Sequence, residues 1–281
     1  MKKKSLFAAL LCGMALLGFC ACGGSEETAA PPTVTVYADA QVGGAFVRPY
    51  AEITVSADAA ENNGFTDQVS ADTAVSALDV MVALHEELFG EDFTADPAAY
   101  MQVDGGWING TFENSGDSWS VIYNGESAHS DTESAYGGFE ALTVDQTEVK
   151  DGDVVEFVAY QDTENYSDYA LWICSGEERI TALETEAGAA AELTVSGYSF
   201  GFYGSFGTDE IRASYLEPVK GVQLALMAED GTLTALDGAF SDENGKVSFT
   251  LEETGTYTVV ACLPPESEGC AFMAALTVTV K

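Results

Sequence analysis

Trp119-Ser-Val-Ile-Tyr-Asn-Gly-Glu126 is the stretch on which the reading of the first half of the chain turns. Residues alternate along Trp119 to Tyr123 and then meet Asn124-Gly125, the dipeptide that best accepts the positive φ angles of a type I′ turn. A strand running into a tight hairpin is therefore predicted. Downstream, Val149-Lys-Asp-Gly-Asp-Val-Val-Glu-Phe-Val158 gives a turn at Asp151-Gly152 followed by an apolar strand that reaches Tyr160. Upstream, Thr33-Val-Thr-Val-Tyr37 and Ala51-Glu-Ile-Thr-Val-Ser56 alternate as strands. Gly43-Gly44 and Pro49 interrupt between them, and Glu61-Asn-Asn-Gly64 turns after them.

One stretch in the chain reads cleanly as a helix, Ser76 to Gly90. Ser76 suits the N-cap, Asp79 at the third helical position can return a hydrogen bond as in a capping box, and Val75 and Val80 are spaced as a hydrophobic staple. Gly90 is a natural stop. Ala77, Met81, Leu84 and Leu88 share one face with Leu78 and Val80 on its flanks, while Asp79, Ala83, Glu86 and Glu87 lie opposite. His85 falls on the shoulder of the stripe and is read as a boundary histidine rather than a metal ligand, because no Cys or His lies at ligand spacing around it. Further on, Trp107-Ile-Asn-Gly-Thr-Phe112 suggests a second hairpin around Asn109-Gly110, and Ser127 to Gly138, with His129 and Tyr136, has no period and reads as a long loop. Ala170-Leu-Trp-Ile-Cys174 is expected to close the domain, with Cys174 a buried thiol beside Trp172.

The sequence of an N-terminal strand pair, the Val-Ser-Ala-Leu-Asp helix start, Gly105-Gly-Trp-Ile108, the Trp119 to Glu126 strand and the Lys150-Asp-Gly-Asp-Val-Val-Glu-Phe strand resembles the transcobalamin-like C-terminal β-grasp domain of many bacterial surface lipoproteins. The likeness spans roughly 33 to 173. It implies an α+β domain over 33–180 with one main helix, and soluble-ligand binding. Vertebrate relatives of that family cap a corrinoid, so a corrinoid is one candidate ligand that the resemblance implies.

Residues 181–191 are rich in Ala, Glu and Gly and mark a boundary. Beyond them the pattern is all strands: Glu192–Tyr198, Val222–Ala228, Leu233–Leu236, Lys246–Leu251, Thr256–Ala261 and Ala275–Val280. Turns at Glu229-Asp-Gly231, Asp242-Glu-Asn-Gly245 and Glu253-Thr-Gly255 separate them, which predicts an all-β second domain over 192–281, an immunoglobulin-like β-sandwich. Ser241 to Leu251 followed by Thr254 to Val260 resembles bacterial immunoglobulin-like and prealbumin-like modules, which are mostly spacers or adhesion units. Cys262 and Cys270 bracket the last connection. A bridge there would close a loop of about nine residues and contribute roughly 2 to 3 kcal/mol, and an extracytoplasmic location permits it.

That location is itself an expectation from the N-terminus. Lys2 to Lys4 precede the apolar run Leu6 to Gly18, a secretory signal over residues 1–21 that is too short to span stably. Phe19-Cys-Ala-Cys-Gly-Gly24 resembles a lipobox, so Cys22 is expected to carry lipid and residues 22–32 to form a tether ending in Pro31-Pro32. Two acyl chains would hold the protein on the extracytoplasmic face of the bacterial cell membrane.

The formal net charge is −36, and signal removal would take away three of the ten basic residues and no acidic one. Such a surface repels nucleic acid. Gly197-Tyr-Ser-Phe-Gly201 matches a nucleophile-elbow pattern, but that chemistry needs a helix after the serine and a later histidine; no helix is expected in Phe202-Tyr-Gly-Ser-Phe-Gly207, and both His85 and His129 come earlier. Asp242-Glu-Asn-Gly245 and Asp151-Gly-Asp153 carry too few oxygen ligands for a loop calcium site and read as turns. No catalytic set, metal site or cofactor is named by the residues. What remains is binding by a monomer. Trp107, Trp119, Tyr123, Tyr166 and Trp172 gather around the predicted strands, and aromatic rings at sheet ends can form a platform. Trp107, Trp119, Tyr123, Asn124 and Tyr136 are the expected ligand-binding residues. The ligand class stays open between a small molecule and a host or cell-wall polymer.

Overall fold

The computed structural model of the chain describes residues 30–112, 114–115, 118–204, 206–264 and 269–281. The expected signal segment, Cys22 and residues 22–29 of the tether lie outside them. Of the described residues 48% are in strands and 15% in helices, so the protein is mostly β, in several sheets.

The first sheet has five strands in the spatial order Ala45–Ser56, Thr33–Val42, Val154–Ala159, Trp119–Tyr123, Glu126–Ser127. Its central pair is parallel, with Tyr37 opposite Val154 and Gln41 opposite Val158, and the other neighbours are antiparallel. Val36, Ala38 and Ala40 alternate onto one face, and the helix Ala77–Phe89 lies across them with Leu78, Met81, Val82 and Leu84 inward. The helix starts as the sequence predicts: Asp79 N–H donates to Ser76 Oγ at 3.0 Å, and Ser76 N–H donates to Asp79 Oδ2 at 2.9 Å. Asp79 nevertheless departs from its expected solvent face. Curled back to its cap, it is buried and accepts from Ala60 N–H at 2.8 Å, and burial pushes its carboxyl up to about 6.

The other half is a β-sandwich. One sheet joins Tyr169–Ser175 to Ala190–Ser199, which also pairs with Lys246–Thr250; the other runs Ala182–Thr185, Ala274–Val280, Gly255–Cys262, Gln223–Met227, Leu233–Phe240. Leu171, Ile173, Leu193 and Val195 meet Leu224, Val259, Leu276 and Val278 between them.

Two expectations are corrected here. Ala170–Cys174 does not close the first sheet but pairs with Ala190–Ser199, with Ala170 opposite Tyr198 and Cys174 opposite Thr194. Its two faces explain why: Leu171 and Ile173 enter the sandwich core, while Ala170, Trp172 and Cys174 cover Ile122 and Val158 on the back of the first sheet. A strand buried on both faces reads as an unbroken apolar run that belongs equally well to either neighbour. The segment 181–191 is likewise not a plain linker, since Ala182–Thr185 pairs in parallel with the last strand. Residues Pro31–Lys281 form one compact unit.

Three local expectations also change. The segment 127–138 is not an irregular loop: His129–Glu133 forms a hairpin with Phe139–Ala141. Trp107–Thr111 is one strand, its turn lying before it at Gly105-Gly106 rather than at Asn109-Gly110. Cys262 and Cys270 are free thiols in this structure. Cys262 ends the strand Gly255–Cys262 and approaches Gln223 O at 3.5 Å, whereas Cys270 O accepts Tyr169 N–H of the strand Tyr169–Ser175, in the other sheet.

Candidate functional site

The turn at Gly105-Gly106 is tucked against Asp145. A Cβ on Gly106 would fall 1.9 Å from Asp145 Oδ1, and φ is +77° there, so only glycine fits. The strand that leaves this turn presents Trp107, which is 65% exposed. Trp119 sits beside it at the start of its own strand, opposite Ala159, and its ring packs on Phe112 at 5.8 Å. Phe112 is itself pinned at φ +48° because its N–H donates to His85 Nε2 at 3.2 Å and the two rings stack at 4.2 Å.

The pairing of Trp119 with Ala159 brings the next residue, Tyr160, alongside, its N–H donating to Ser118 O at 2.9 Å. Tyr166 meets Tyr160 edge to face at 5.1 Å and shares a hydrogen bond with Ser118 Oγ at 3.2 Å. Its backbone is left-handed, φ +53°, a conformation that a bulky residue adopts only when its surroundings impose it. Here the Asp162 carboxylate accepts Asn165 N–H at 3.0 Å and the Ser167 hydroxyl at 2.5 Å, and Asp162 O accepts Tyr166 N–H at 2.9 Å. The backbone of Gly201 lies against Tyr166 so closely that a Cβ would come within 2.2 Å of Tyr166 O.

The result is an open groove of about 600 Å³ lined by Trp107, Ile108, Asn109, Ser118, Trp119, Ser120, Tyr160 and Tyr166. That volume lies in the range of sites for drug-sized ligands. The two tryptophans also line a second cavity, toward Leu142 and Val144, of about 70 Å³, room for about two water molecules. The Trp119 indole Nε1 is buried and has no hydrogen-bond partner among the described residues. Burial raises the Tyr160 phenol above its ordinary value, so it remains a neutral donor.

Of the residues expected to bind ligand, Trp107 and Trp119 come together, and Tyr166 joins them. The others do not. Tyr123 Oη donates to Asp153 Oδ2 at 2.5 Å and Asn124 Nδ2 donates to Asp153 Oδ1 at 2.9 Å, so this pair clamps the Lys150–Asp153 turn at the far end of the strand from Trp119. Four residues of strand put about 13 Å between them. Tyr136 is wholly exposed at the tip of its hairpin, and Trp172 is fully buried. Tyr160, Ser118 and Ser120 carry no pattern of their own in the sequence. Their place follows from the register of Trp119 against Ala159.

The serine of the elbow-like pattern, Ser199, has a buried Oγ without a partner among the described residues, and, against expectation, a short helical turn, Phe200–Tyr203, follows it. The histidine rings are engaged elsewhere, His85 with Met81 O and Phe112 N, and His129 with Ser130 O at 3.0 Å and Glu126 at 3.4 Å. Among the described residues no group of three His, Cys, Asp or Glu is placed to hold a metal ion, and no helix is long and apolar enough to cross a membrane.

The sequence matches no protein-family model and no curated protein. Among solved structures, Sidekick-1 immunoglobulin domains 1–4 is similar over 58% of this chain, at 9% identity and a TM-score of 0.20, and the chain spans 40% of that structure. The fold assignment above rests on sheet order and packing.

Proposed function

We propose that the chain is a non-catalytic surface lipoprotein that binds a ligand in the aromatic groove. One observation carries this reading: four aromatic side chains from three separate segments, Trp107, Trp119, Tyr160 and Tyr166, converge on a single open groove, with Tyr166 held there against its backbone preference. Strain of that kind persists where the surroundings over-determine it, and it gathers at ligand sites. The first sheet supports a β-grasp reading, since its strands lie in the order second, first, fifth, third, fourth, with a parallel central pair beneath one long helix. The two-sheet half supports an immunoglobulin-like spacer. Anchoring through Cys22 rests on the charged, apolar and Cys-Gly-Gly order of the N-terminus.

The test is titration of the full mature chain with a corrinoid, a heme and cell-wall oligosaccharides, followed by tryptophan emission. Saturable change that Trp107→Ala weakens is the expected result. A flat response to every member of the panel removes the binding reading. Mass spectrometry of the mature N-terminal peptide tests the anchor, and a chain that does not begin at a lipid-modified Cys22 overturns it.

A further inference from the structure

We propose that the groove takes a neutral oligosaccharide; the inference rests on the binding reading above and names its ligand class. None of the described side chains lining the groove is charged, in a chain with 46 acidic residues. Among the described residues the lining holds no cation to pair with a carboxylate or phosphate and no carboxylate to hold an amine, so they favour a neutral ligand over a charged one. The described lining residues also include no His, Cys or Met, side chains that ligate the metal of a tetrapyrrole.

What the groove does offer is two kinds of contact. Trp107 and Tyr166, 65% and 41% exposed, bring aromatic surface, and Asn109, Ser118 and Ser120 bring uncharged donors and acceptors. A pyranose ring has the matching surface: an apolar face of C–H bonds that packs on an aromatic ring, and a rim of hydroxyls that both donate and accept. The groove is open at the surface rather than enclosed, which suits a length of chain passing over it.

The experiment titrates the full mature chain with hexamers of β-1,4-glucose, α-1,4-glucose and β-1,4-N-acetylglucosamine, with polygalacturonate, hemin and a corrinoid as charged or ring-shaped comparators. Expected is a saturable change of tryptophan emission with at least one neutral hexamer, unaltered between low and high salt. Trp107→Ala, at an exposed position, should weaken it by about tenfold or more, and Trp107→Phe should keep most of it. Binding of a neutral hexamer that ignores Trp107→Ala overturns the assignment. Binding of hemin, corrinoid or polygalacturonate that depends on Trp107, with no response to any neutral hexamer, overturns the saccharide and leaves the binding reading standing. Silence from all probes removes both.

Discussion

Trp172 Nε1 and Tyr198 Oη donate to the same oxygen, the carbonyl of Gly125, at 2.9 and 2.8 Å. Gly125 is the second residue of the Asn-Gly turn, φ +93°, in the first sheet, while Trp172 and Tyr198 stand on neighbouring strands of the sandwich with rings edge to face at 6.1 Å. A hairpin tip is thereby fixed to the adjoining layer, and around it Ile122, Val158, Phe200 and Phe272 exclude water.

Trp172→Phe is expected to lower stability by about 1 to 2 kcal/mol, since the ring volume is partly kept and one buried hydrogen bond to a shared acceptor is lost. Denaturant unfolding should show one cooperative transition for residues 31–281, because the back of the first sheet has no other cover. Two separate transitions, or stable fragments after cleavage at 181–191, would contradict this coupling.

Asp39 and Glu156 lie opposite each other on the central parallel strands, both buried. Burial first, then their mutual repulsion, raises the Asp39 carboxyl well above its usual range. Burial raises Glu156 to about 7 even with Arg179 at 3.4 Å. A folded-state value above the unfolded one means the native protein binds the extra proton. For Glu156 the stabilisation is therefore complete below about pH 4.5 and is lost as pH rises through 7, and Asp39 acts in the same direction. Asp39→Asn removes the repulsion and leaves the Glu156–Arg179 pair. It should raise stability at pH 8 by roughly 1 to 3 kcal/mol and flatten the decline between pH 4.5 and 7. Equal losses in both proteins across that window would show that the pair is not the source.

Gly201→Ala places a methyl group where Tyr166 O already lies, 2.2 Å from the new Cβ. The Tyr166 loop must move, so the variant should lose about 1 to 3 kcal/mol and bind groove ligands more weakly, whereas Gly221→Ala, with open space around it but φ +80°, should affect stability alone. Ligand titration beside thermal melts separates the two. Undiminished affinity in Gly201→Ala would mean that Tyr166 takes no part in binding.

Features written within a few residues were legible in the sequence. The Ser76–Asp79 cap, the strands 154–159, 246–250 and 255–262, and the Asn124-Gly125 turn all depend on neighbours in the chain. The layer to which Ala170–Cys174 belongs was not legible, because both its faces are apolar. Three of the groove's four aromatic residues, Trp107, Trp119 and Tyr166, stand out in the sequence as aromatic residues near predicted strands. Tyr160 does not, because it is placed by cross-strand register, and the close approach of Gly201, remote in sequence, against the Tyr166 turn is not written near either residue. Tyr123 and Asn124 were expected at the site because the strand that carries them lies beside the ligand in the resembled family, yet Asp153 holds both.

His85 links the helix to the groove and supplies the last test. Met81 O can only accept, so Nδ1 carries the proton and donates to it at 2.8 Å; Phe112 N–H can only donate, so Nε2 is bare and accepts it at 3.2 Å, with the Thr111 hydroxyl donating at 2.9 Å. The ring is thus held neutral, and burial pushes its value down to about 4, the Met81 bond opposing only in part. With the folded value below the unfolded 6.5, the native state binds fewer protons in this window. The stability from His85 is present above pH 6.5 and is lost as pH falls toward 4, a change of about 3 kcal/mol. It runs against the Asp39–Glu156 pair, so the overall stability curve blends the two and a direct titration is required. The protein has two histidines, and imidazole carbon resonances resolve both. The His85 signal should hold its neutral shift from pH 8 down to about 5, with Trp119 emission constant over the same range. A His85 midpoint near 6.5 would mean that the ring is reached by water and that Phe112 is not fixed beneath Trp119 as described.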